Sequence, residues 1–439
     1  MRSSVRYPAA NEILLTDCHL IDGVSDEPFE RAYVEIRDGK FVASGPMSKA
    51  PRVKGLYEID CQGRTVMPGL IDCHVHLVYA GSKNMEEAIR FPVETAVIHA
   101  VMHARAVLDS GYTAVREVGT IGNTSVAMRD AIRQRKIYGP KIVASGRGIG
   151  TTGSGNDLLP AHWESTGGRL VVDGVDAIRK AVRRQTREGV DNIKFIASGV
   201  EVHPTCFTWM TTISEDELRA GIEEAHRWGR SVAVHAQSYE AVKFALRWGA
   251  DTIEHGTRLD EESIEMFKRS NAFLVPTLCT LYSVLLLGEK LGLSQKQRDE
   301  MKVNEPLWTG SIKAAYDAGV QIASGGDLGN RYPHGDNAKE LSYLVQLGMK
   351  PMDVLRSATS IAARAIRRGD RFGSIKPGLE ADFIVVDGDP LRDMDVLLDP
   401  ARMNMVFQDG EMVAGSEWKE PREEMPIIRP PSCEGGHQH

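Results

Sequence analysis

The run MPGLIDCHVHL, residues 67–77, closes an apolar segment with two histidines, His74 and His76, one residue apart. In an extended strand, residues two apart project to the same side, so both imidazoles face one point. Buried imidazoles need partners. A metal ion would supply one; a polar network is the alternative. Four more polar residues stand in runs otherwise composed for burial: Lys194 in NIKFIAS, His235 in SVAVHAQ, His255 in DTIEHG and Asp327 in QIASGGD. Taken singly, His235 and His255 are also explained as hydrogen-bonded core histidines. Asp327, which follows two glycines, is also explained as the cap of the next helix. Lys194 is harder to absorb into packing, because a charged amine inside an apolar strand is costly and tends to shed its proton. A neutral amine can combine with carbon dioxide to give a carbamate, an anion able to bridge two metal ions.

These side chains meet only if the strands that carry them lie side by side. Strand patterns at 65–74, 113–118, 141–146, 192–198, 231–237, 251–256, 272–278 and 321–327 precede helical patterns at 86–109, 125–135, 174–188, 214–228, 239–248, 260–269, 307–319 and 337–347. Such strand-then-helix repetition, eight units in all, is the arithmetic of a closed (β/α)8 TIM barrel. A doubly wound open sheet is the alternative reading. In a barrel the six residues recur at one mouth, the face that carries the chemistry. Nitrogen and oxygen donors converging there suit zinc or a similar divalent ion. Long connections at 147–173, 199–213, 279–306 and 328–336 leave the same face and are expected to wall a substrate pocket. β-branched runs joined by turns lie near both chain ends: EILLTDCHLIDG and RAYVEIRDGKFVASG at one, ADFIVVDGD and MNMVFQDGEMVAG at the other. They predict a small β-sandwich domain built from both ends. The expected organisation is α/β, with residues 1–64 and 370–420 as the halves of the sandwich, 65–369 as the barrel and 421–439 as a loosely ordered tail.

Lysines and arginines number 53 against 60 aspartates and glutamates, a net charge of −7. No basic stripe stands out, so nucleic acid is not an expected partner. The six cysteines are scattered without a Cys-x-x-Cys pair, which argues against a disulfide framework and for a reducing compartment. Cys73, between the two histidines, points away from them by strand alternation and reads as a packing residue. No leader-like apolar stretch opens the chain and no run approaches bilayer-spanning length. A soluble, cytoplasmic protein acting on a small molecule, with no membrane partner, is the expectation.

Together PGLIDCHVHL, the lysine of NIKFIASG, VAVHAQ, IEHGT, SGGD and the closing GSIKPGLEADFIVVDGDPL resemble the amidohydrolase superfamily over about residues 10–415. Within it, PHGDNAKEL at 333–341 resembles a recurrent segment of the imidazolonepropionase-like and prolidase-like branch. The resemblance implies two divalent metal ions, zinc by default, with manganese or cobalt suiting the same donors. His74, His76 and Asp327 would hold the more buried ion, His235 and His255 the other, with carboxylated Lys194 and a hydroxide between them. Asp327 would take a proton from the attacking water and hand it to the leaving nitrogen. The implied activity is hydrolysis of a C–N bond in an amide, dipeptide-like or N-acyl compound; ureas and carbamates offer the same kind of carbonyl. Deaminases of the superfamily generally use one metal and lack the bridging lysine. A non-catalytic protein on the same fold would be expected to have lost ligands. Relatives of the branch commonly form homo-oligomers, and one is expected here. They often carry Gly-Gly-His after the third strand, where this chain has GIGTTGSGNDLLPAHW. Ser154, Asn156 or His162 is expected to take over part of that role. His203, Gln237, His334 and Asn337 are further substrate-pocket candidates, although His203 fits a solvent-facing loop and Asn337 a helix cap equally well. Met85, His99 and His103 read as packing or surface residues.

Overall fold

The structure, a computed structural model, describes residues 12–52, 55–79, 92–157, 169–201, 203, 205–329 and 332–418. Its strands are β1 (Glu12–Leu20), β2 (Phe29–Arg37), β3 (Lys40–Pro46), β4 (Tyr57–Asp60), β5 (Thr65–Pro68), β6 (Leu70–Val75), β7 (Tyr112–Glu117), β8 (Lys141–Ala144), β9 (Ile149–Gly150), β10 (Leu170–Val171), β11 (Asn192–Ile196), β12 (Ser231–Ala236), β13 (Thr252–His255), β14 (Phe273–Val275), β15 (Phe383–Val386), β16 (Met403–Gln408) and β17 (Glu411–Ala414). Two parallel sheets, β10-β9-β11-β12-β13-β14 and β6-β7-β8, carry the middle of the chain. Helices Val93–Asp109, Thr124–Arg133, Val175–Arg187, Glu215–Arg227, Tyr239–Arg247 and Glu261–Arg269 alternate with these strands, which makes the fold α/β. β6, β7, β11, β12 and β13 are buried throughout, as strands covered on both faces are. Helix starts follow local chemistry: Ser214 accepts from the Glu217 amide while Glu217 reaches back to the Ser214 amide, satisfying two amides that no helical carbonyl reaches.

Backbone pairing links the two parallel sheets. Leu274 bridges to Ile322 and Val75 to Leu328; Cys73 N donates to Ser324 O at 2.9 Å and Asp327 N to His74 O at 2.7 Å. Residues 321–328 therefore run between β14 and β6. The strand expected at 321–327 is present as this bridging segment, with isolated pairings in place of a regular ladder. Gly325 explains why it fits: a Cβ there would lie 2.6 Å from Val275 Cγ1 and 2.9 Å from His74 Cβ, so only glycine allows the approach. On the far side Asp191 N donates to Ala144 O at 2.7 Å, tying the entry of β11 to the end of β8.

The two chain ends meet in one mixed sheet, β17-β16-β15-β5-β1-β2-β3 with β4 also on β1. β15 pairs antiparallel with β5 from Phe383↔Pro68 to Val386↔Thr65. Leu15, Val34, Phe41, Val66, Phe383 and Phe407 pack in its core, with the Phe383 and Phe407 rings stacked 4.3 Å apart. The run read as one strand over 65–74 is in fact two, because the chain changes sheet at Gly69. A Cβ at Gly69 would fall 2.2 Å from Thr113 Oγ1. Uniform burial on both sides of the break left no change in pattern to mark it.

The connection expected over 279–306 is largely helical, as Leu278–Leu287 and Gln295–Asp317. The first, LCTLYSVLLL, is apolar on every side and so lacks a helical period. The second starts on a Ser294–Gln297 capping box and continues through Pro306. Among the described residues no helix is long and apolar enough to cross a membrane, and Cys18, Cys61, Cys73, Cys206 and Cys279 are free. Met85 and the tail at 421–439 lie outside the described residues.

Candidate active site

His74, His76, Lys194, His235, His255 and Asp327 line one cavity of about 70 Å³. Ring centroids are 5.4 Å apart for His74 and His76, 5.1 Å for His74 and His255, and 4.3 Å for His235 and His255. Ligand-capable atoms of His74, His255 and Asp327 lie within 4.8 Å of one another. Strand alternation delivers His74 and His76 to the same side, while Cys73 packs the other way with its Sγ 3.7 Å from Ala362 O.

Each imidazole has one nitrogen committed to an acceptor, which fixes the tautomer and frees the other nitrogen. His74 Nδ1 donates to Glu254 Oε2 at 2.7 Å, and His76 Nδ1 to Gly119 O at 2.8 Å. His255 Nδ1 donates to Thr277 Oγ1 at 2.7 Å, and that hydroxyl donates onward to Pro276 O at 2.8 Å. His235 uses the opposite nitrogen, donating from Nε2 to Gly199 O at 3.0 Å. The free Nε2 atoms of His76 and His74 stand 3.3 and 3.6 Å from Asp327 Oδ1. Asp327 Oδ2 accepts from Thr280 Oγ1 at 2.8 Å. Three of these positions hold left-handed backbone, with φ of 71° at His255, 54° at Thr277 and 53° at Asp327. Non-glycine residues in that region cluster where a site needs them.

Burial sets the charges. It lowers the pKa of His74 to about 4 and of His235 to about 3, so both rings are neutral at pH 7. Burial opposes ionisation of Asp327, but His74 and His76 outweigh it and hold the carboxylate well below its usual range. Lys194 is the counterpart case. Burial pulls its amine down to about 8, against the upward pull of Glu254 and Asp327, and Nζ has no hydrogen-bond partner among the described residues.

Several supporting residues escaped the sequence reading. Arg116, wholly buried in β7, donates to Cys73 O at 2.8 Å, Thr252 Oγ1 at 2.8 Å and Glu254 Oε1 at 2.7 Å. It keeps Glu254 ionised against its burial, and Glu254 in turn holds His74. Asp72 accepts from His74 N at 2.9 Å, Gly326 N at 3.1 Å and Asn337 Nδ2 at 2.7 Å, although burial raises its pKa to about 7. Glu117 lies 4.0 Å from His76 Nδ1, and burial pushes it up to about 8. A charged residue inside an apolar strand was the available signal for all three, the same signal that marked Lys194.

The expected substrate-pocket residues fare differently. His162 lies outside the described residues. His203 lies apart from this cavity lining: its Nε2 donates to Asp157 O at 3.1 Å and its Nδ1 accepts from Cys206 N at 2.8 Å, which staples two loops. His334 is likewise off the lining; it sits behind His76, with Nε2 3.2 Å from His76 O and its ring 4.5 Å from that of His103. Asn337 braces Asp72 rather than the rim. Gln237 is buried off the lining, and its side-chain amide has no partner among the described residues. Ser154 and Asn156 shape the loop after β9, and Asn156 reaches the cavity with Tyr79, Arg169 and Glu201.

A parallel α/β scaffold that holds neutral imidazoles, a carboxylate and a depressed lysine at one cavity is an enzyme's arrangement, built for nucleophile activation at a polar bond. Residues 65–413 match the Amidohydrolase family, and the chain belongs to it. It is 27% identical over 414 residues to the ochratoxinase of Aspergillus niger, covering 89% of this chain and 84% of that one. It is 26% identical over 397 residues to the imidazolonepropionase of Geobacillus kaustophilus, covering 81% of this chain and 84% of that one. The solved structure of a Xaa-Pro dipeptidase with bound methionine in the active site superposes with a TM-score of 0.82 at 31% identity, covering 92% of this chain and all of that one. The chain is therefore a hydrolase of carbon–nitrogen bonds.

Proposed function

We propose that the enzyme is a metal-dependent amidohydrolase that cleaves the amide bond of a small dipeptide-like or N-acyl compound. In this reading β6, β7, β8, β11, β12, β13, β14 and residues 321–328 close a (β/α)8 barrel within 65–369, and the sheet from 1–64 and 370–420 folds into a β-sandwich beside it. His74, His76 and Asp327 would hold one divalent ion and His235 and His255 a second, with carboxylated Lys194 as a ligand shared between them and zinc as the default. The observation that carries this is the donor set: four imidazoles each with one nitrogen freed, a carboxylate, and a buried amine with no hydrogen-bond partner among the described residues, all on one cavity. Two such ions supply Lewis-acid polarisation of the scissile carbonyl and acidify a water at neutral pH.

The chain's own groups do the rest. With its pKa near 8, the Lys194 amine is partly neutral around pH 7–8. Its lone pair would add to the carbon of carbon dioxide as one C–O π bond opens onto oxygen, and the N–H proton would pass to water, giving a carbamate. Thr280 fixes the Asp327 carboxylate by Oδ2, leaving Oδ1 to take the proton of the attacking water and return it to the departing nitrogen. Glu254 and Arg116 hold His74 in the required tautomer. The likeness to a Xaa-Pro dipeptidase supports a dipeptide-like amide, and the family resemblance supports a homo-oligomer.

Metal analysis of the purified holoenzyme should find about two ions per chain. A screen of N-acyl amino acids, dipeptides, phenylureas and carbamates should give its highest turnover on the first two classes. Preference for phenylureas or carbamates would move the substrate to that class, and a single ion with ammonia as product would indicate a deaminase. Asp327→Asn should keep the fold and lower kcat by about 10²–10⁴; near-normal turnover would remove the role assigned to it.

A further inference from the structure

We infer that Arg169 anchors a substrate carboxylate, so that the site selects amides whose amine half is an amino acid with a free α-carboxylate. The inference rests on the amide-hydrolase reading above and adds the residue that sets its selectivity.

Arg169 stands on the cavity wall with Tyr79 and Asn156. Nη1 donates to Asn156 Oδ1 and Nη2 to Tyr79 Oη, both at 3.1 Å. Asn156 is itself pinned, because its Nδ2 donates to Gly148 O and Leu170 O at 3.0 Å, which turns its oxygen toward the guanidinium. The Tyr79 ring lies 5.2 Å from the ring of His76, so the guanidinium is one side chain away from the histidine cluster. A guanidinium carries more N–H donors than these contacts use. Both contacts are neutral acceptors, Nε has no partner, and Arg169 enters no ion pair among the described residues. A permanent cation held in place with no counter-ion among the described residues is completed by an anion, and the planar fork matches a carboxylate. Asp327 and Glu201, also on the lining, are acidic and would turn a carboxylate away from the rest of the wall. In the amide of an α-amino acid the carboxylate is only a few bonds from the scissile carbon, which suits an anchor beside His76 rather than across the cavity.

The test compares N-acetyl-L-leucine with N-acetyl-L-leucinamide, following cleavage of the acetyl–nitrogen bond and binding by calorimetry. In the native enzyme kcat/KM should favour the acid by about 10- to 100-fold, the scale of a charged hydrogen-bonded contact. Arg169→Met should abolish most of that preference, chiefly through KM for the acid, and Arg169→Lys should restore part of it. Circular dichroism checks that each variant is folded. Equal rates on acid and carboxamide in the native enzyme, or an equal loss on both in Arg169→Met, would overturn the anchor while leaving the hydrolase reading intact. Arg169-dependent binding of the acid without hydrolysis of any amide would keep the anchor and sink the hydrolase reading.

Discussion

Two lysines withdrawn from water, one fully and one partly, show opposite solutions to one problem. Lys194, in β11, has no hydrogen-bond partner among the described residues and its pKa falls to about 8 through burial. Lys141, at the start of β8, is ringed by Glu380 at 2.7 Å, Asp382 at 2.8 Å and Asp409 at 2.8 Å. Burial pulls its pKa down too, but Asp382, Asp409 and Glu380 outweigh that and raise it well above the ordinary lysine value. Among the described residues these three acids form a second group whose geometry suits a cation, yet the ammonium of Lys141 already occupies it. The position of each lysine explains the outcome. Lys141 ties the start of β8 to Glu380 and Asp382 just before β15 and to Asp409 in the turn between β16 and β17, so its charge serves as a clamp. Lys194 sits in the middle of β11 and lines the cavity, where a charge held by fixed partners would leave nothing for chemistry.

The contrast is broken or sharpened first at Lys194. Lys194→Met should lower turnover by at least about a thousandfold, the scale of losing several kcal/mol of metal assistance, with metal content falling below that of the native enzyme. Thermal stability of the metal-stripped variant should stay close to that of the metal-stripped native enzyme, because the substitution removes a buried amine with no hydrogen-bond partner among the described residues. A large drop in melting temperature with metal retained would show that Lys194 is a structural cation after all.

Lys141→Met should do the reverse. It leaves three carboxylates facing one another and should cost about 2–3 kcal/mol of stability, below the scale for a fully buried pair because Asp409 is half exposed. The folded fraction should retain native turnover. The deficit should also depend on pH. Burial, opposed by Lys141, raises the pKa of Asp382 to about 6, so the folded state binds that proton more tightly than the unfolded chain. Stability from this group is therefore present at low pH and lost as pH rises from about 4 through 6. Removing Lys141 moves the window upward, so the gap between variant and native protein should be smaller at pH 5 than at pH 8 in denaturant melts. A pH-independent gap would mean that lost packing, not charge, sets the cost.

The same contrast explains what was legible in the sequence. Lys194, His235 and His255 stand out because period-two strands allow few polar residues, and their side is fixed by the strand itself. Lys141 carried no such signal, since its acidic partners are more than two hundred residues away in sequence. His203, His334 and Asn337 sit in loops, where no period decides which way a side chain turns, and all three turned into the scaffold. Arg116 and Asp72 were as visible as Lys194, but their task is to orient other residues, and that emerges only when β7, β6 and the 321–328 segment are neighbours. The change of sheet at Gly69 was hidden because both flanking runs are apolar and buried.

A smaller effect is expected where the site leans on this support. Glu254→Gln keeps an acceptor near His74 but removes the charge shared with Arg116. Metal affinity should fall by about 10- to 100-fold, measured by competition with a chelator, while turnover at saturating metal changes less. An unchanged affinity would show that Arg116 and Glu254 serve the core rather than the imidazole.

The smallest change sharpens the comparison at its other end. Asp409 is 46% exposed, against 1% for Asp382, so water already screens its attraction for Lys141. It also sits in left-handed backbone with φ of 50°, before Gly410, in the turn between β16 and β17. Asparagine tolerates that conformation as well as aspartate does. Asp409→Asn therefore isolates one screened charge without disturbing the hairpin, and should cost no more than about 0.5–1 kcal/mol. Asp382→Asn, which removes the most buried acid of the clamp, should cost more. If Asp409→Asn matches Lys141→Met in its loss, the clamp acts as one indivisible network, and the exposure of its members does not rank their contributions.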